Sequence, residues 1–176
     1  MSDPVDNITW RDANSLQANE WNPNVVFTPE LKLLERSILK CGWIQPIIIN
    51  PDGLVIDGFH RWKLSQDSTL LKARYKGKVP CVVMELTKPE AMLLTIRINR
   101  AKGSHVAVQM SEIIRELIDT FRYEKEQIAD NIGATIQEID LLYQEGVFKM
   151  KNIEEYKYSK AWYPVENRAS SANKKS

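Results

Sequence analysis

The residues best suited to chemistry in this chain stand together at Asp57-Gly58-Phe59-His60-Arg61. A glycine between a strand and a helix lets the backbone approach an anion, while the first N–H groups of the helix point at it. Arg61 adds a fixed-charge fork for phosphate oxygens, and His60 a donor that can charge near neutral pH. Asp57, at the strand end, is repelled by phosphate unless a metal ion bridges the two or unless it holds Arg61 or His60 in position. The bridging metal is the expectation carried forward. Spacing alone balances this box evenly between a phosphate site and the start of a solvated helix. The neighbours shift the balance, because Lys63, Lys72, Arg74, Lys76 and Lys78 all surround it in sequence.

Such a box needs a strand before it and a helix after it. Leu54 to Asp57 reads as that strand, paired through the tight turn Pro51-Asp52-Gly53 with the isoleucine run in Gln45 to Asn50, and the helix runs to about Gln66. Around this hairpin the sequence predicts a short first strand at Asn7 to Arg11 and a helix opened by Thr28 and Pro29 and stopped by Gly42. A strand at Val79 to Leu86 follows, and then a helix from Pro89 toward Asn99 and Arg100. After Lys102-Gly103 only helices are expected: Val108 to Phe121 with an apolar stripe, then Glu124 to Ile132 and Thr135 to Gln144 on either side of Gly133-Ala134, in helix-turn-helix spacing.

Charge is segregated behind a net value of +1. Residues 58 to 100 carry nine basic and three acidic side chains, against four and eight in residues 1 to 57 and four and nine in residues 101 to 148. A polyanion therefore prefers the middle of the chain, or the tail from 149 onward with its seven basic and three acidic residues. The stretch Thr135 to Glu145, which holds the second helix of the pair, carries Glu138, Asp140 and Glu145 and no cation, which argues for packing or partner docking over reading the major groove. In the tail, lysines alternate with Phe148, Tyr156, Tyr158, Trp162 and Tyr163, a pattern compatible with nucleic acid or with covering a core. No stretch reaches the roughly 18 apolar residues of a membrane span. Cys41 and Cys81 lack CxxC spacing and a leader, so core packing and a cytoplasmic setting are expected.

The order of these elements, and the residues at their joints, resemble the ParB/sulfiredoxin superfamily over residues 8 to 100. Trp21-Asn22-Pro23-Asn24 is similar to its Asn-Pro box, and Leu34 to Pro46, with Gln45, to the stretch facing base and ribose. Residues 55 to 62 are similar to its phosphate box, and Asn99-Arg100 to the end of its third nucleotide motif. The resemblance implies an α+β fold, a ParB/sulfiredoxin-like nucleotide-binding domain with a small mixed sheet at residues 1–103. A helical, helix-turn-helix-like region would follow at 104–148, and an aromatic and basic tail, disordered at its end, at 149–176. It also implies a nucleoside di- or triphosphate ligand (ATP, ADP or CTP) with Mg2+. Gln45, Gly58, Phe59, His60, Arg61, Asn99 and Arg100 would bind it, and Asp57 would hold the metal.

Within the superfamily, partition proteins carry Gly-Glu-Arg-Arg where this chain has Gly58-Phe59-His60-Arg61. Sulfiredoxins place a catalytic cysteine where Phe59 stands, which removes their reductase chemistry here. The free-serine kinases share the Asp-Gly-x-His-Arg box and an early glutamate, near which Glu20 falls. That likeness implies a phosphotransferase or phosphohydrolase with Glu20 as general base and Asp57 and His60 at the phosphates. The closest overall likeness, over about residues 8 to 163, is to the IbrB-like co-activators of prophages and mobile elements. It implies a nucleotide-binding regulator of gene expression or DNA metabolism acting on DNA or through a partner resembling phosphoadenosine-phosphosulfate reductases. No carboxylate cluster supports a nuclease.

Overall fold

The computed structural model describes residues 3–21, 28–101 and 107–150. In chain order the elements are β1 (Ile8–Asp12), β2 (Gln17–Ala18), α1 (Thr28–Cys41), β3 (Ile47–Ile49), β4 (Leu54–Asp57), α2 (Phe59–Asp67) and α3 (Thr69–Tyr75). They continue with β5 (Lys78–Val83), α4 (Lys88–Ala101), α5 (Ala107–Asp119), α6 (Lys125–Ile132) and α7 (Ile136–Met150). Short 3-10 turns lie at Pro4–Asp6 and Ala13–Ser15.

Three consecutive β-branched residues make Ile47-Ile48-Ile49 the middle strand of a five-stranded mixed sheet ordered β1-β5-β3-β4-β2. β3 and β4 pair antiparallel and β3 and β5 parallel, while β1 runs antiparallel to β5 and β2 parallel to β4. The hairpin closes where the Gly53 N–H donates to the Asn50 carbonyl at 3.0 Å, and the Asn50 side chain accepts from the Leu54 N–H at 2.7 Å. Strand alternation then sorts side chains to opposite faces. Ile47, Ile49, Val55, Val79 and Cys81 gather with Trp62 of α2 on one face. Ile56 and Ile48 turn to the other, against the later helices. The Trp62 indole N–H also donates to the Ala13 carbonyl at 2.7 Å, which pins α2 under the turn after β1.

The first face is closed further by Ile38 of α1, Leu64 of α2 and Leu71 of α3. On the second face α4 is the middle layer. Its Ala91, Met92, Leu93 and Ile96 share one core with Ile56 and Trp21, with Ile113, Ile114 and Leu117 of α5 and Ile128 and Ala129 of α6, and with Ile139 and Leu142 of α7, which packs on α5 and α6. This apolar core runs from the sheet through all four helices; the expected joint near 103 lies outside the described residues. Removing most of a side chain as buried as Leu117, at 0% exposure, costs about 2–5 kcal/mol.

Three features differ from the sequence expectation. α3 is an added helix, started by the Ser68 hydroxyl, which accepts from the Leu71 N–H at 3.1 Å. β2, only two residues long, exists through its pairing with β4. α7 continues past Gln144 to Met150, because Gly146 alone is too weak a breaker to stop a helix. The two cysteines also part company: Cys81 is fully buried in the sheet, whereas Cys41 is exposed at the end of α1, so core packing holds for one only. Burial pushes the Cys81 thiol up to about 11, with the Arg11 guanidinium offsetting only part of that rise. A thiol reagent at pH 8 should therefore modify Cys41 readily and Cys81 only after denaturation. Equal labelling rates in the native protein, read by intact mass, would contradict the placement of Cys81. Among the described residues no helix is long and apolar enough to cross a membrane.

Candidate functional site

Gly58 joins β4 to α2 with φ at +93°, a left-handed conformation that strains any residue with a Cβ. A Cβ placed there would also stand 3.0 Å from Arg61 Nη2, 3.3 Å from Arg61 Nε and 3.3 Å from the Ile47 Cα. The glycine thus serves two ends: it turns the chain, and it leaves room for the Arg61 guanidinium to lie back over the start of α2. The helix begins at Phe59, so its first backbone N–H groups, without intrahelical acceptors, open on this corner.

Arg61 is held by three acceptors. Nη1 donates to Gln45 Oε1 at 2.6 Å and to the Gln45 carbonyl at 3.4 Å, and Nη2 donates to Asp57 Oδ2 at 3.2 Å. The side chains of Arg61 and Asp57 are 11% and 17% exposed, so the pair is largely withdrawn from water. Burial lowers the Arg61 pKa from its ordinary value and the Asp57 carboxylate opposes that shift; the guanidinium stays charged. A guanidinium has five N–H donors. These three bonds leave Nε–H and one Nη2 hydrogen, on the edge beside Gly58, to meet an oxyanion at the helix start.

Gln45, Asp57 and Arg61 form one end of a cleft of about 410 Å³ whose other walls are Asp3, Pro4, Val5, Pro46, Ile48, Val82, Met84 and Ile98. An apolar cleft with a few convergent polar groups is the usual form of a small-molecule site. The structure brings together Gln45, Asp57, Gly58 and Arg61. It also adds walls that the sequence reading passed over. The hydrophobic Pro4-Val5 within a polar N-terminal run was the one available signal for its own contribution.

Phe59 and His60 take different parts. The Phe59 ring packs on the sheet-side core, edge-on to Trp62 at 5.4 Å and to the His60 ring at 6.1 Å. His60 Nε2 is buried beside it. At the far wall, Ile98 reaches the cleft from the last turns of α4 and half-buried Asn99 follows it. Arg100 turns to the helical pair instead: it meets Glu138 at 2.5 Å and donates to the Gly133 carbonyl at 3.1 Å. Among the described residues no group of three or more His, Cys, Asp or Glu is placed to hold a metal, and Asp57 is engaged by Arg61.

Glu20 is not brought to the box. Its side chain is 91% exposed and its partner is Lys88, at 4.0 Å, on the first turn of α4, where Lys88 also meets Glu116 at 2.8 Å. Ile98 lies ten residues further along the same helix, which at 1.5 Å per residue separates that end from the cleft wall by about 15 Å. Glu20→Gln should accordingly leave nucleotide affinity within about twofold of the wild type in a titration. A tenfold loss would place Glu20 at the ligand after all. Asn22-Pro23-Asn24, Lys102 to His105 and the tail beyond 150 lie outside the described residues.

No protein-family model matches the chain. It is 36% identical over 165 residues, 91% of its length, to the uncharacterized protein YbdM of Escherichia coli K12, of which it covers 78%. It is also 29% identical over 123 residues to the chromosome-partitioning protein ParB of Myxococcus xanthus and 29% over 106 residues to the probable chromosome-partitioning protein ParB of Coxiella burnetii. The chain spans 40% and 34% of those two partitioning proteins. Among solved structures it is similar to the C-terminally truncated ParB of Caulobacter crescentus complexed with CTP-gamma-S, at 21% identity, 82% of this chain and 85% of that one, with a TM-score of 0.46. The same protein complexed to the centromeric parS site gives 20% identity, 81% and 78%, and a TM-score of 0.49. The chain therefore belongs to one family with YbdM, which it matches across nearly its whole length, and is similar to ParB partitioning proteins over about two thirds of its own length.

Proposed function

We propose that the protein is a ParB-like nucleotide-binding regulator whose ligand, a nucleoside di- or triphosphate, lies in the Gln45–Asp57–Arg61 cleft with its phosphates at Gly58 and the start of α2. The observation that carries this reading is the Arg61 fork, charged, largely buried and fixed by Gln45 and Asp57, with two N–H donors left on the edge that faces the helix start. A charged donor held in place loses little freedom on binding and makes the stronger, charge-assisted class of hydrogen bond. The apolar walls from Pro46, Ile48, Val82 and Ile98 suit a nucleobase and ribose. Asp57 holds Arg61 in the free protein, and Mg2+ between Asp57 and the phosphates would relieve their repulsion once ligand is bound.

The partition proteins among the relatives support a role connected with DNA. α6 and α7, joined across Gly133, would serve it by packing and partner docking more than by reading bases, since Glu138 is taken up by Arg100 and Asp140 by Lys125 at 2.5 Å. The likeness to IbrB-like co-activators extends the proposal to gene expression in a phage or mobile element, with a partner resembling phosphoadenosine-phosphosulfate reductases. A thermal-shift series tests the ligand. ATP, ADP or CTP at a hundredfold over its Kd stabilises the fold by about 2.7 kcal/mol, a rise of roughly 5–10 °C for a chain of this size. No rise with any of the three, with or without magnesium, would overturn the proposal.

A further inference from the structure

Away from the cleft, the outer surface of α1 and α3 carries a second charged groove of about 530 Å³, lined by Lys32, Glu35, Arg36, Leu39, Lys40 and Leu70. Lys32, Arg36 and Lys40 are each exposed and recur every four residues, so they form one row along α1 with steps of about 6 Å. The single carboxylate in the groove, Glu35, accepts a hydrogen bond from the Ser68 hydroxyl. Leu70, 58% exposed, leaves an apolar strip beside the charges.

The row does not end with α1. Arg74 of α3 donates to the Leu39 carbonyl, near the C-terminal end of α1, and lies over the Tyr75 ring at 5.3 Å from its centre. Tyr75 in turn stacks on Trp10 of the edge strand β1, with ring centres 5.9 Å apart and planes 19° from parallel. Trp10 is 48% exposed although one side of its ring is covered by Tyr75, so part of a flat indole surface remains open to solvent. Lys76 and Lys78 follow directly, both exposed.

A run of cations at regular spacing that ends at an open, stacked aromatic fits a polyanion whose charges repeat along a flexible backbone and whose other groups are flat rings. A duplex presents its phosphates but keeps its base faces stacked inside; a single strand presents both. We propose that single-stranded nucleic acid binds along this track, with its phosphates on Lys32, Arg36, Lys40 and Arg74 and a base stacked on Trp10. The residues are separate from those of the nucleotide cleft, so the track stands whether or not the cleft is used.

The test is fluorescence anisotropy of a labelled 20-nucleotide oligothymidylate with the full chain, titrated at several salt concentrations, beside a duplex of matched length. Two variants are compared: the triple K32E/R36E/K40E, and Trp10→Ala. The thermal unfolding midpoint of each is measured to show that it remains folded. The triple variant is expected to bind the strand at least tenfold more weakly, and its log–log salt slope to fall by about 2, since each lost phosphate contact on a single strand removes about 0.7. Trp10→Ala is expected to weaken strand binding about tenfold, the order of one lost stacked base, without changing the salt slope or the binding of duplex. No binding by the wild type at low salt, or folded variants that bind the strand as the wild type does, would overturn the proposal. So would a duplex bound as tightly as the strand, with Trp10→Ala indifferent to both.

Discussion

Arg61→Ala is expected to reduce nucleotide affinity by at least a hundredfold while leaving the protein folded. The loss has two sources. The substitution removes two charge-assisted hydrogen bonds to phosphate, each in the range of about 1.5–3 kcal/mol. It also exposes the phosphates to Asp57, whose charge the guanidinium now offsets at 3.2 Å. Arg61→Lys should recover little, because an ammonium cannot span Gln45, Asp57 and an oxyanion with one planar fork. In the absence of magnesium the double variant D57N/R61A should bind better than R61A alone, since it removes the repelling carboxylate as well. Titrations of the three variants under one salt condition give these values, and equal affinities for R61A and D57N/R61A would remove the repulsion from the account.

The second large effect falls on Gly58. Gly58→Ala forces a Cβ into a left-handed backbone position and against the Arg61 guanidinium and the Ile47 Cα. Strain at such a position is of order 1–3 kcal/mol, which for this length lowers the melting midpoint by about 2–12 °C. Arg61 is the movable neighbour and should yield, leaving Gln45 and Asp57 and with them the phosphate edge. Nucleotide affinity should therefore fall at least tenfold, beyond what the loss of stability explains. A Gly58→Ala protein with an unchanged midpoint and unchanged affinity would show that neither the turn nor the fork depends on the glycine.

The box was legible in the sequence because its parts are local. A strand, a glycine and a helix start at adjacent positions, and the fork is supplied by a residue one helical turn on. The central strand was legible from three β-branched residues, and α5 from its stripe of Ile113, Ile114 and Leu117. What was not legible depends on contacts far apart in the chain. β2 exists only by pairing with β4, and Pro4-Val5 becomes a cleft wall only when the sheet places Val82 and Ile48 beside it. Arg100 sits where a phosphate ligand was expected, but Glu138 and the Gly133 carbonyl, more than thirty residues away, take its donors. For Asp57 the sequence left two roles open, and the bond to Arg61 is the one present in the free protein.

Isothermal calorimetry of ATP, ADP and CTP, with and without magnesium, into the wild type and Arg61→Ala at moderate salt tests the central claim most directly. The account predicts saturable, one-to-one binding of at least one of the three to the wild type and none to the variant over the same concentration range. Heat of binding that persists unchanged in Arg61→Ala, or its absence from the wild type with all three nucleotides, would contradict it.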